Sequence, residues 1–186
     1  MSIKTLFRRA PERHAAHQAY LAIVAQARAS EFFLRHGVPD TLDGRFEMIV
    51  LHAFLVLHRL RGDAAAQRFG QALFDVFFTD MDRALREMGT GDLSVGKQIG
   101  RMAEGFFGRI AAYQRGLADP AELADALKRN LFGTVAAPAP EQLAFMAAYL
   151  DRQSRELAGQ SAATIAAGTV CFAPVELDFA VPQAKS

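Results

Sequence analysis

"MIVLHAFLVL", residues 48–57, decides the fold. Its only interruption is His52, yet ten residues fall well short of the ~18–20 needed to cross a bilayer. Widened to Asp43–Arg61, the window places Phe46, Ile49, Val50, Ala53, Phe54, Leu57 and Leu60 at helical i, i+3, i+4 spacing. Leu51, Leu55 and Val56 then spread that stripe almost all the way round. A helix apolar on every side has to be surrounded by others. The spacing therefore predicts a central buried helix capped by Asp43, with His52 a satisfied core histidine.

Working outward, helical periodicity runs from about Pro11 to Leu157, with no alternating pattern long enough for a sheet. Pro11 suits a first helical position, and a helix from Glu12 to about Arg28 precedes a short one opened by Ser30 and Glu31 and ended at Gly37. Asp63 caps a helix to Met88 that Gly89 terminates. Asp92 or Ser94 starts the next, to about Leu117. Asp119 and Pro120 start another to Phe132, and "APAPEQ" a last one to about Leu157. The expectation is an all-α, single-domain irregular bundle of six or seven helices over residues 1–186, with the tail from Ser161 as an extended strap.

The chain has 186 residues, 51% of them hydrophobic, with fifteen Phe and no Trp, enough to build a core without disulfides or metals. Its 21 basic and 20 acidic residues leave a net charge of +1, which argues against nucleic-acid binding. A lone Cys171 excludes a disulfide framework or zinc cluster, and with no base nearby it is a poor nucleophile. His14 and His17 sit one turn apart without a third ligand, so no metal or cofactor is expected. The start, "MSIKTLFRRAPERH", lacks the apolar run of a secretory signal. Its "IKTLFRR" alternates apolar and basic residues and either packs on the bundle as a frayed end or rests on an anionic membrane surface.

The chemistry, if any, concentrates in "DMDRALREMGTGDLSVGKQIGRM", residues 80–102. A phosphate loop would need a strand before the glycines and a Lys-Ser/Thr after them, and neither is present. Gly89 and Gly91 instead stop one helix and turn into the next. Asp82 with Arg86, and Arg83 with Glu87, are i, i+4 pairs that support a surface helix by a few tenths of a kcal/mol. Asp80 alone falls on the apolar arc with Phe69, Leu73, Val76 and Phe77, so it needs a partner, either a neighbouring helix or a bound protein.

Across the loop, Val95, Ile99, Met102, Phe106, Ile110, Tyr113 and Leu117 form one buried face. The same helix carries Gly96, Gly100, Gly105 and Gly108, which together cost about 4 kcal/mol relative to alanine. Either a neighbouring helix of this chain packs close against them, or they form a shallow groove with Phe107, edged by Lys97, Arg101 and Arg109, that receives a partner. The candidate partner-binding set is Asp80, Asp82, Arg86, Gly91, Asp92, Lys97, Gly100, Arg101, Phe107, Gly108 and Arg109. No catalytic residue is expected.

Two stretches, "GVPDTLDGRFEMIVLHAFLVLHRL" and "LFDVFFTDMDRALREMGTGDLSVGKQIGRMAEGFFGRIAAY", from about Gly37 to Tyr113, resemble the ubiquinol-cytochrome c chaperone family. Asp-Met-Asp, Leu-Arg-Glu-Met-Gly, Gly-Asp and Lys97 in this order carry most of the likeness. The resemblance implies an all-helical assembly factor for the cytochrome bc complex, without a reaction of its own, that binds newly made cytochrome b or a partner assembly factor. Mitochondrial members carry a targeting extension that this start does not resemble. The expectation is a bacterial version in the cytoplasm, with peripheral contact at the inner membrane as a further option. The competing expectations are a ligand-binding pocket or enzyme site near Asp80, His52 and Tyr113, and a structural subunit covered by another chain.

Overall fold

The computed structural model describes residues 3–63 and 66–175. In chain order the helices are α1 (Ile3–Ala27), α2 (Ser30–Leu34), α3 (Leu42–Arg59), α4 (Ala66–Glu87), α5 (Asp92–Gly116), α6 (Pro120–Asn130), α7 (Pro140–Ala158) and α8 (Ala162–Ala166). There is no strand among the described residues.

α3 is the axis of the bundle, as its apolar circumference requires. Every residue from Glu47 to Val56 is buried, and α1, α5 and α7 pack around it. α4 closes the gap between α1 and α5, and α6 bridges α5 to α7. His52 is satisfied inside this core: Nδ1 donates to the Met48 carbonyl at 2.7 Å and Nε2 accepts from the Tyr149 hydroxyl at 2.7 Å. Full burial pushes its pKa down to about 4, so the ring stays neutral at physiological pH.

Several boundaries follow the local signals. Asp119 accepts from the Ala121 N–H at 2.9 Å with Pro120 at the first helical position, and Gly89 ends α4 with φ 83°. Others differ. Thr41, not Asp43, caps α3, accepting from the Gly44 N–H at 3.1 Å. Both residues are good caps two positions apart, and the extended backbone at Thr41 decides between them. α1 runs through Pro11 instead of starting there, giving up one main-chain hydrogen bond. The side chains of the "IKTLFRR" segment lie outside the described residues.

The expected strap is helical where it begins. Ser161 accepts from the Thr164 N–H at 3.0 Å and caps the five-residue α8. Gly168, at φ 99°, then turns the chain against α1; a Cβ there would lie 2.7 Å from the Ala15 carbonyl oxygen. Beyond it residues 169–175 belong to neither helix nor strand. The rest of the expected strap, residues 176–186, lies outside the described residues.

Candidate partner-binding surface

The surface is framed by the turn from α4 into α5. The Gly89 N–H returns to the Arg86 carbonyl at 2.9 Å and the Thr90 N–H to Leu85 at 3.1 Å, which closes α4. Gly91 is the extended N-cap of α5, its carbonyl taking the Ser94 N–H at 2.8 Å. Arg86 staples the two helices: it donates to Asp82 at 2.7 Å, one turn back on α4, and also pairs with Asp92 in the first turn of α5. The Arg86 hydrogen bond holds the exposed Asp82 carboxyl below the usual carboxylate range.

Asp80 faces the other way, towards α1. The Tyr20 hydroxyl donates to it at 2.8 Å and Arg83 at 2.6 Å. Burial and the adjacent Asp80 together raise the Tyr20 pKa far beyond its ordinary value, so the phenol is always a donor. The acid on the apolar arc thus has a partner in a neighbouring helix of the same chain.

Arg109 is also turned inward. Its Nε lies 2.7 Å from both carboxyl oxygens of Glu47, whose side chain is only 6% exposed, and its guanidinium lies over Phe46, 5.9 Å from the ring centroid. Burial raises the Glu47 pKa while Arg109 pulls it down. For Arg109, burial works against the cation, but Glu47's hydrogen bonds and charge prevail and its pKa rises. The pair ties α5 to α3 across 62 positions of sequence. Glu47, set between Phe46 and the apolar run that begins at Met48, was the sequence signal for it.

The glycines of α5 separate cleanly. A Cβ at Gly91, Gly96, Gly100 or Gly108 would meet nothing within 4 Å. Among the described residues, close packing inside this chain therefore does not account for them. At Gly105 a Cβ would come within 2.6 Å of the Arg109 guanidinium. Gly116 is the one α5 glycine in tight helix–helix contact, where a Cβ would lie 2.8 Å from the Leu123 Cα, and sequence periodicity does not single it out.

Phe107 stands beside the bare glycines and is 60% exposed. It is stacked on Phe74 of α4 at 5.3 Å and 20°. Phe74 in turn meets Phe78 at 4.5 Å and Phe106 at 5.7 Å, and Phe106 meets the buried Phe77 at 5.4 Å. This row of rings runs from the core to the surface and fixes an apolar side chain in water. Phe74 and Phe78 are the members that sequence reasoning missed, because each meets Phe106 on the next helix.

On the helical wheel Gly96, Gly100 and Phe107 share one edge of α5, and Lys97, Arg101 and Gly108 lie beside them. All six are exposed. The candidate residues therefore divide into an outward group (Gly91, Lys97, Gly100, Arg101, Phe107, Gly108) and a frame held by intramolecular ion pairs (Asp80, Asp82, Arg86, Asp92, Arg109). The face can take up a closely approaching apolar segment and offers two cations beside it.

The expected pocket near Asp80, His52 and Tyr113 is distinct from the cleft that the described residues form. A cleft of about 350 Å³ lies between the end of α3, the start of α4 and α5, with Phe54, Leu57, His58, Arg61, Ile110 and Gln114 in its walls and none of those three residues. Among the described residues no three His, Cys, Asp or Glu side chains are placed to hold a metal. No helix among them is long and apolar enough to cross a membrane.

Comparison with known proteins bears on the family and the fold. The ubiquinol-cytochrome C chaperone family, as a sequence profile, matches residues 34–172, well beyond the 37–113 stretch that carries the likeness by eye. The ubiquinol-cytochrome c reductase complex assembly factor 1 of Mus musculus is 28% identical over 145 residues, covering 77% of this chain and 49% of its own length. That of Homo sapiens is 28% identical over 145 residues, 48% of its length. The chain thus spans about half the length of these two relatives. The crystal structure of the Cbp3 homolog from Brucella abortus superposes with a TM-score of 0.79 at 37% identity, covering 94% of this chain and 98% of that one. With three quarters of its residues inside the family profile and the same bundle as a solved relative, this chain belongs to the ubiquinol-cytochrome C chaperone family.

Proposed function

We propose that this protein is a non-enzymatic chaperone for assembly of the ubiquinol-cytochrome c reductase complex. It holds newly made cytochrome b, or a partner assembly factor, against the outer face of α5. The observation that carries this is the pairing of an exposed Phe107, locked on Phe74, with Gly96, Gly100 and Gly108, at which a Cβ would meet nothing within 4 Å among the described residues. Without Cβ atoms a client backbone approaches closely, as between membrane helices, and Phe107 supplies the apolar anchor. Lys97 and Arg101 steer the encounter and set orientation more than affinity. Asp80, Asp82, Arg86, Asp92 and Arg109 act from behind, fixing α4 and α5 to one another and to the core. The protein works in the cytoplasm, peripherally at the inner membrane where its client is inserted.

The experiment is co-purification of reductase-complex subunits with Phe107→Glu and Lys97→Glu variants that retain the wild-type circular dichroism. Loss of capture by Phe107→Glu and weakened, salt-sensitive capture by Lys97→Glu are expected. Undiminished capture by both variants refutes the assignment of this face.

A further inference from the structure

A second surface has the construction of a binding site and is already filled. Residues 171–174 run past α1 and α7, and the hydrogen bonds that hold them go to their main chain. Gln160 accepts from the Cys171 N–H at 3.0 Å and donates to the Cys171 carbonyl at 2.6 Å. Two residues on, Gln153 repeats the pattern, accepting from the Ala173 N–H at 2.9 Å and donating to its carbonyl at 2.8 Å. Gln26 adds a donor to the same carbonyl at 3.0 Å, and Arg152 reaches the Pro174 carbonyl at 3.0 Å. Glutamine amides thus stand in for the edge of a β-strand, pairing N–H and C=O of alternate residues. The one side chain read with any specificity is Phe172, half-buried with its ring edge-on to His52 at 5.2 Å.

One of these amides, that of Gln26, is also held by groups outside the tail. Gln26 also donates to the Tyr149 hydroxyl at 2.9 Å, which is bonded to His52, which is bonded to the main chain of α3. Gln153 is fully buried. Emptying the groove would strand its amide, whereas replacing one main chain by another would not. Exchange is therefore favoured over simple release.

We infer that the groove between α1 and α7 is a docking site for an extended, uncharged segment with a central aromatic residue, and that residues 171–174 occupy it as a resident ligand which such a segment displaces. The site uses none of the α4–α5 face and stands whether or not that face binds a client. The tail competes at an effective concentration in the millimolar range, as a tethered ligand does, so weakening its anchor exposes the site.

Cys171 is the sole cysteine and is exposed, so an environment-sensitive fluorophore there reports on the full-length chain. The probe is an acetylated, amidated peptide of sequence TVSFAPV, titrated against wild type, Phe172→Ala and the milder Phe172→Leu, each first shown by circular dichroism to be folded. A saturable signal at about tenfold lower peptide concentration in Phe172→Ala than in wild type is expected, since the tail alone has lost its anchor. Phe172→Leu should fall between, and the peptide with Phe replaced by Ala should be at least about tenfold weaker. If both variants respond no differently from wild type, or if the Phe-less peptide competes equally well, the groove is not exchangeable and the inference fails.

Discussion

Replacing Arg109 by Met removes the cation beside Glu47 while keeping most of the apolar stem over Phe46. Glu47 would be left with its side chain 6% exposed and without its partner, whereas the Arg109 side chain is 27% exposed. Removing one member of a fully buried pair costs ~3–5 kcal/mol; with water able to enter by the vacated edge, ~2–3 kcal/mol is the expectation here. For a chain of this size that lowers Tm by about 5–10 °C. The loss depends on pH in a definite sense. Burial already raises the Glu47 pKa, and without the opposing effect of Arg109 it rises further. A carboxyl whose folded pKa exceeds its unfolded value, ~4.3 for glutamate, binds its proton more tightly when folded. The penalty is therefore full at neutral pH and shrinks as the pH falls through the folded pKa. Urea unfolding of both proteins between pH 5 and 7.5 gives this as a difference in which other titrating groups cancel. The double variant Glu47→Leu/Arg109→Met should recover to within ~1 kcal/mol of wild type, since an apolar pair replaces the buried charges. A loss in Arg109→Met below ~1 kcal/mol that is flat with pH would mean that the pair behaves as a surface contact, and the reasoning would be refuted.

Gly100→Ala/Gly108→Ala should raise stability by ~1–2 kcal/mol, because helix propensity improves and no contact opposes the methyl groups, while client capture weakens; calorimetry and co-purification read the two effects separately. Gly168→Ala should cost ~2 kcal/mol or more, from the positive φ and the 2.7 Å approach to Ala15, visible as a lower urea midpoint. Tyr20→Phe removes one hydrogen bond to Asp80, which keeps Arg83, and should cost ~1 kcal/mol in the same assay.

What could be read in the chain and what could not divides along sequence separation. The course of α3, the stop at Gly89 and the start at Asp119–Pro120 depend on residues within a few positions of one another, and local chemistry names them. The choice of Thr41 over Asp43 turns on the backbone angle entering the helix, which the chain before it dictates. α8 was hidden because "AATIAAG" looks like spacer, although alanine favours helix and Ser161 is a good cap. The partners of Asp80 and Arg109 lie on other helices, so the sequence could say that a charge needed a mate without saying which. The outward residues of α5 were legible for a different reason. Glycines in a helix contradict its propensity, and a contradiction of that kind is visible in the order of the residues alone.

The bare edge of α5 also has a kinetic meaning. Without methyl groups to shield them, the main-chain amides around Gly96, Gly100 and Gly108 stay near water, and this stretch should open to hydrogen exchange at a lower free energy than the buried turns of α3. The part of the molecule proposed to greet a client is then softer than the axis of the bundle, and it can adjust to an incompletely folded surface and stiffen on contact.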